Sequence, residues 1–209
     1  MRLGLLIGLA IIAAMAPPIV AEEEANAEQE KEIESPSPDG RLAFLSTFST
    51  EQRTLDLIEK ESEKVLLRVA ESEEGSNRLS TEALWASDSK RFALMISIYR
   101  RSAYVSVYLQ QGDTFHEVKL PNIPEARIPK KLENDKKHFW HVASSDWAKP
   151  VEWRKDGSLV VESETTIDGN GNTATATRTT VIGFDRSGKA RIVSSTQKVT
   201  TEYEEESRK

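Results

Sequence analysis

Along most of the chain the hydrophobic pattern has a period of two. Leu42, Phe44 and Phe48 alternate with Ala43, Leu45 and Thr47. Phe92, Leu94, Ile96 and Ile98 alternate with Ala93, Met95, Ser97 and Tyr99, and Ala103, Val105, Val107 and Leu109 alternate with Tyr104, Ser106 and Tyr108. Successive side chains of an extended backbone leave opposite faces, so this pattern predicts strands. Residues 92–99 are apolar on both faces, which predicts a central strand covered from both sides. Gln111-Gly112-Asp113 reads as a hairpin turn leading into a strand over 115–120. Later come three long polar strand candidates, 158–167, 173–184 and 189–203, joined by Asp168-Gly169-Asn170-Gly171-Asn172 and by the turn at 185–188. The Thr-Ala-Thr-Ala-Thr alternation at 173–177 favours a strand but buries little. This hairpin array is expected to keep at least one face in solvent, its threonines and charges guarding against edge-to-edge pairing.

A short element recurs. Pro38-Asp39-Gly40-Arg41-Leu42-Ala43-Phe44 is echoed by Ser87-Asp88-Ser89-Lys90-Arg91-Phe92-Ala93 and by Lys155-Asp156-Gly157-Ser158-Leu159-Val160-Val161. Trp85 and Trp153 precede two of the copies, and Phe184-Asp185-Arg186-Ser187-Gly188-Lys189 is a fainter fourth. Asp accepts backbone N–H bonds, Gly or Ser adopts the unusual dihedrals, and a β-run follows, as a tight turn requires. This element resembles the WD40-like repeat of TolB-type β-propellers, with a W-S-P-D-G-K-x-(I/L)-A-F core. The likeness is good over residues 36–120 and looser over 151–161. It implies blade-like antiparallel meanders and no particular function. The spacing departs from a regular ring, with 49 residues from Asp39 to Asp88 and 68 from Asp88 to Asp156. A closed propeller takes about 4–8 blades, and the chain has room for no more than about four. The expected fold is therefore mainly β, with blade-like meander sheets forming an incomplete or small propeller-like arrangement.

Residues 121–150 interrupt the pattern and read as an insertion on the sheet scaffold. The run from Pro129 to Lys137 is expected to hold a short exposed helix, proline suiting its first turn. Trp140 and Trp147 are expected to flank a polar loop. At the N-terminus, Arg2, the apolar run from Leu3 to Ala16 and Pro17-Pro18 read as an export signal over 1–21, cleaved after Ala21 or, second, after Ala27. Left uncleaved, the same run would approach the length of a membrane anchor; cleaved, it leaves no stable span. Residues 22–35 are acidic and almost without large apolar groups, which predicts a flexible tether, and 204–209 a frayed tail. The expected organisation is one β domain over 36–203, divided into a blade-like half (36–120), the insertion (121–150) and a polar hairpin array (151–203).

Composition narrows the function. The 209 residues contain 28 Lys and Arg against 34 Asp and Glu, a net charge of -6. Removal of the leader takes away only Arg2 among charged residues and leaves -7. Such a balance speaks against nucleic acid as partner. The absence of cysteine excludes thiol chemistry, Cys-based zinc sites and lipid attachment at the cleavage site, and it fits bacterial export to the periplasm or beyond.

Candidate chemistry is sparse. His138-Phe139-Trp140-His141 spaces two imidazoles by three, which would pair them on a helix and part them on a strand. Asp168-x-Asn170-x-Asn172 has the alternating oxygens of calcium loops, but Thr179 stands where a twelfth-position Glu would close one. No nucleophile elbow or phosphate-cradling glycine loop is present. The sequence predicts no cofactor, metal or catalytic residue, and assigns the candidate ligand surface to His138, Trp140, His141, Trp147 and Trp153. The expected activity is that of an exported, non-catalytic binding module for a protein or a cell-envelope polymer. The alternatives are a carbohydrate-active hydrolase with loop carboxylates, and an incomplete propeller closed by self-association.

Overall fold

The computed structural model describes residues 29–50, 52–72, 79–99 and 102–204; the leader, the first half of the tether and the last five residues are among those outside these. The chain is mainly β, and its twelve described strands fall into three four-stranded meanders. The first holds β1 (Glu30–Glu34), β2 (Leu42–Phe48), β3 (Arg53–Glu59) and β4 (Lys64–Glu71). The second holds β5 (Ser80–Trp85), β6 (Arg91–Tyr99), β7 (Ser102–Gln111) and β8 (Thr114–Glu117), and the third β9 (His141–Trp153), β10 (Leu159–Gly169), β11 (Asn172–Phe184) and β12 (Ala190–Glu202). Within each, consecutive strands pair antiparallel. The first meander is a separate sheet. The other two join into one eight-stranded sheet through a parallel contact of β7 with β9 at Ala103 and Trp147. The described strands close no barrel.

Alternation along β6 decides the layering. Phe92, Leu94 and Ile96 leave one face and pack with Phe44, Leu55, Leu57 and Val69 of the first meander. Ala93 leaves the other and joins Val105, Val107, Leu159, Val161 and Ile182, so the third meander covers the far side. The expected central strand is thus covered on both faces. Phe92 is fully buried, with ring centroids 5.2 Å from Phe44, 5.0 Å from Trp85, 4.8 Å from Tyr108 and 5.3 Å from Phe115. Ring pairs at these separations add to the stabilisation that burial gives.

The repeated Asp turns and tryptophans prove to be joints. The indoles of Trp85 and Trp153, each closing the first strand of its meander, donate to a main-chain oxygen of the meander before: Trp85 to Ser35 at 2.9 Å, Trp153 to Leu84 at 3.0 Å. In the first three turns an N–H donates three residues back, from Gly40 to Ser37, Ser89 to Ala86 and Gly157 to Arg154. The donors have φ of 73°, 56° and 85°, and the Asp occupies the third position. The turn at 185–188 shares the Gly188 to Asp185 bond, but its Asp opens the turn. Neighbouring turns are tied in series, the Asp39 N–H donating to Ser89 Oγ at 3.0 Å and Arg91 Nη1 to the Gly157 carbonyl at 3.0 Å. Arg91 also lies over the Trp153 ring at 5.2 Å. The positive φ selects glycine at 157, and a Cβ there would also displace that guanidinium, which lies 2.5 Å from its position.

Three expectations are corrected. Residues 30–34, placed in the tether, form β1 on the edge of β2; an edge strand needs backbone pairing more than an apolar stripe. Residues 141–150, expected as loop, belong to the 13-residue strand β9. Register shifts against β10 near Val160, Glu164 and Thr166 break the alternation by which β9 would have been recognised. The strand expected over 115–120 stops at Glu117. The expected helix is present but covers only Lys130–Glu133.

Phe92→Ala is expected to cost about 3–5 kcal/mol in urea unfolding, as emptying a fully buried aromatic site does; a loss below about 1 kcal/mol would contradict its central place. The turn carboxyls give a pH prediction. Asp39, Asp156 and Asp185 are held below the usual carboxylate range, first by the hydroxyls of Ser37, Ser158 and Ser187 and then by turn N–H groups or neighbouring cations. A folded-state pKa below the unfolded one adds stability that is present above about pH 4 and lost as pH falls through the folded value. Replacing all three by Asn should flatten the fall in unfolding free energy between about pH 4 and 2; an unchanged slope refutes this.

Candidate ligand-binding surface

After β8 the chain runs as a strap, residues 118–129, across the third meander. Polar side chains of that sheet hold it by its backbone. Ser163 Oγ donates to the Pro124 carbonyl at 3.1 Å, Thr165 Oγ1 to Ala126 at 2.8 Å and Arg178 Nε to Glu125 at 2.8 Å. Gln197 exchanges two bonds with the Arg127 backbone, each 3.0 Å. Beneath, Ala126, Ile128 and Phe139 pack on Ile167, Ala174 and Ala176. Alternation explains the division: Ala174 and Ala176 face the strap, and the threonines between them face away. The polar residues of the hairpin array are therefore partly a docking surface for this chain's own strap.

The strap roofs a cleft of about 290 Å³ where β7 and β9 splay beyond their single contact. Its walls include Tyr104, Pro121, Asn122, Glu125, Trp147 and Glu164. Burial, then the nearby Glu117 carboxylate, raises the Tyr104 phenol above its ordinary value. Tyr108, deeper in the fold, is pushed up to about 12, chiefly by burial, and donates to the Val69 carbonyl at 3.3 Å.

A second area lies at the far end of the third meander. The backbone N–H of Trp140 donates to the Asp168 carbonyl at 2.9 Å, which brings its indole over Gly169 at the head of the β10–β11 turn. A Cβ on Gly169 would fall 2.5 Å from Trp140 Cδ1 and 2.7 Å from the His138 carbonyl. Only glycine leaves room for the ring to lie there. The ring is braced yet remains 61% exposed, and it divides two grooves. One, about 360 Å³, is lined by Glu133, Asn134, Lys136 and Phe139; the other, about 460 Å³, by Asp168, Asn170, Asn172 and Thr173; His141 borders both.

The five residues singled out by sequence resolve into three places. Trp140, His141 and His138 gather at this rim, Trp147 lines the cleft, and the Trp153 indole is committed to the joint with β5. The two histidines do not converge. His138 Nδ1 lies 2.9 Å from Asp135, whose carboxyl that contact holds below its usual value, and His141 Nδ1 lies 2.9 Å from Asp168. His116 faces Thr114 Oγ1 at 2.8 Å on the surface. Among the described residues no three of His, Asp and Glu gather as a metal site. The Asp168–Asn172 oxygens serve the hairpin: Asp168 takes His141, and Asn172 Oδ1 accepts the Glu204 N–H at 3.0 Å. Asn170 and Gly171 form the tight turn with φ of 50° and 77°.

Sequence reasoning missed Tyr104, Asn122, Glu125, Glu164 and Gly169. Period-two alternation does set Tyr104 and Glu164 on faces opposite the core residues beside them. Nothing local announces the strap, because its partners lie 39 to 70 residues away.

Fold and surface together define a mainly β chain of stacked meanders with an aromatic rim at one end. The chain matches no family model, and no curated protein matches it. Arg178→Ala combined with Gln197→Ala should free the strap and speed tryptic cleavage at Arg127 and Lys130 by about tenfold, the loss of several side-chain bonds each worth about 1 kcal/mol. Unchanged cleavage would mean that the Ser163 and Thr165 bonds and the packing of Ala126 and Ile128 suffice to hold the strap.

Proposed function

We propose that the chain is an exported, non-catalytic binding module of the bacterial periplasm or cell exterior, and that its partner is a protein or a cell-envelope polymer. The observation carrying this reading is Trp140, a large aromatic side chain packed over Gly169, its backbone N–H bonded to the Asp168 carbonyl, yet mostly exposed. Exposed aromatics on a fixed support serve recognition, because ordering them on binding costs little entropy. The repeated Asp turns and tryptophan joints support an incomplete propeller of the WD40-like kind as the scaffold. Among the described residues no helix is long and apolar enough to cross a membrane.

A second reading, a carbohydrate-active hydrolase, draws on Glu125 at the cleft and on Glu164, in register with Trp147 at the cleft's edge on the sheet face away from the strap. Fractionation of cells producing the full chain tests the first reading. The chain is expected outside the cytoplasm with its N-terminus at Glu22 or Glu28, and native envelope should yield a reproducible partner with no release of reducing ends. A cytoplasmic, unprocessed chain would overturn the export reading, and release of reducing ends that Glu164→Gln abolishes would favour the hydrolase.

A further inference from the structure

On the strap face, Trp140 walls an apolar groove that lies beside an unpaired length of strand. In the parallel register of Ala103 with Trp147, β7 begins at Ser102, level with residue 146. Residues 141–145 of β9 therefore extend beyond the end of the β6–β7 hairpin, and among the described residues no strand pairs that edge. Alternate N–H and C=O groups of a strand point to either side, so several main-chain donors and acceptors here are open to a partner. Register shifts on both sides of Ser144 bend the edge and blunt it against indiscriminate pairing. Val142, in register with Ile167, stands on the strap face at this edge and is 52% exposed. It forms one wall of the groove of about 360 Å³, and the Trp140 ring over Gly169 closes the end. Ile128, Phe139 and Ile167, all buried, line the floor. Cations gather around it. Residues 127–137 hold Arg127, Lys130, Lys131, Lys136 and Lys137 against Glu133 and Asp135, five charges against two, or +3 in a chain of -6. Asp135 is already engaged by His138.

We propose that this groove takes a short extended segment of a partner protein. Its main chain pairs on β9 at 141–145, one large apolar side chain seats between Trp140 and Val142, and flanking Asp or Glu residues meet the lysines. The inference rests on the binding-module reading and names its partner. Strand addition draws affinity from main-chain bonds and specificity from pockets for alternate side chains, and both halves are present at this edge. Trp140 and Val142 supply the apolar contact, and the polar rim of Asn134 and Lys136 surrounds it. Other occupants use only part of the site. A nucleic acid or an anionic glycan would find the lysines but leave Val142, Ile128 and Ile167 without an apolar counterpart. A small apolar ligand would fill the recess and leave the cations and the strand edge unused. A second copy meeting this one about a two-fold axis would set two +3 clusters against each other.

The test is selection of a random twelve-residue peptide library on the immobilised full chain, followed by fluorescence anisotropy of the best peptide with the soluble chain. Enriched peptides are expected to carry a large apolar residue flanked by Asp or Glu. Trp140→Ala and Val142→Asp should each weaken binding at least about tenfold, and Lys131→Glu with Lys136→Glu several-fold. Single N-methylations of the peptide backbone beside the apolar residue should also weaken it several-fold, since each removes a donor to β9. Val65→Thr, on the edge strand β4, should leave binding unchanged. Urea midpoints of the variants separate lost binding from lost folding, and the exposed Val142 and lysine changes keep the test informative if Trp140→Ala unfolds. No enrichment, enrichment of basic peptides, or binding indifferent to Val142→Asp or to N-methylation at every position overturns the proposal. A dimer in sedimentation that Val142→Asp dissociates would make a second copy the occupant and overturn it too. A reproducible envelope partner whose capture survives Val142→Asp leaves the binding-module reading standing without this site, and the absence of both partner and peptide removes both.

Discussion

The middle meander is apolar on both faces, and the rest of the structure follows from covering it. Phe92, Leu94 and Ile96 on one side and Ala93 and Val107 on the other cannot both be hidden by a single partner. The first meander against one face and the third meander against the other is the arrangement that removes this surface from water. The first meander supplies the large aliphatic and aromatic contacts, and the aromatic cluster around Phe92 forms there. The third meander has less apolar surface. Its near half, Leu159, Val161 and Ile182, meets the middle sheet, and its far half extends past it. That overhang is where the strap is needed, since Ile167, Ala174 and Ala176 would otherwise lie bare.

Stacking three meanders leaves their relative rotation open, and the tryptophan joints and serial turn contacts fix it. Each indole reaches the previous meander at one defined carbonyl, and its ring fills the space beside the turn. Arg91 does the same work from the opposite direction, bridging Asp88 at 2.8 Å, the Gly157 carbonyl and the Trp153 face. The cost of ordering so long a side chain is offset because one guanidinium serves three partners. Tryptophans that look alike in composition thus differ in task. A Trp two residues before an Asp turn is held by the repeat, and one outside the repeat, such as Trp140, is available for something else.

That distinction marks how much the sequence made legible. The strands whose apolar positions alternate cleanly, β2, β6, β7, β10 and β11, were readable because a core on one or both faces imposes the period. β1 and β9 were not, for different reasons. β1 is an edge strand held by main-chain pairing, and β9 carries bulges that shift its side chains from one face to the other. The rim could be anticipated from the His138–His141 cluster, which lies outside every repeat. The cleft could not, since it exists only because β7 and β9 touch at one point and the strap crosses above, and both depend on contacts far apart in sequence.

The outer faces of the stack are unlike each other, and this bears on whether it could grow. Behind the first meander a small apolar cluster of Ala43, Leu45 and Ile58 surrounds the buried Asp56, whose charge Arg68 meets at 2.9 Å. Behind the third lie Glu162, Glu164, Asp168 and the threonine row. A further sheet packed there would have to desolvate Glu162, Glu164 and Asp168 together with Lys149, in register with Glu162, and Lys198, a cost that apolar contact does not repay. Repeat arrays end their stacks with a polar outer face for the same reason. Stacking of a further sheet on this face, from this chain or from a second copy, is therefore opposed by its chemistry.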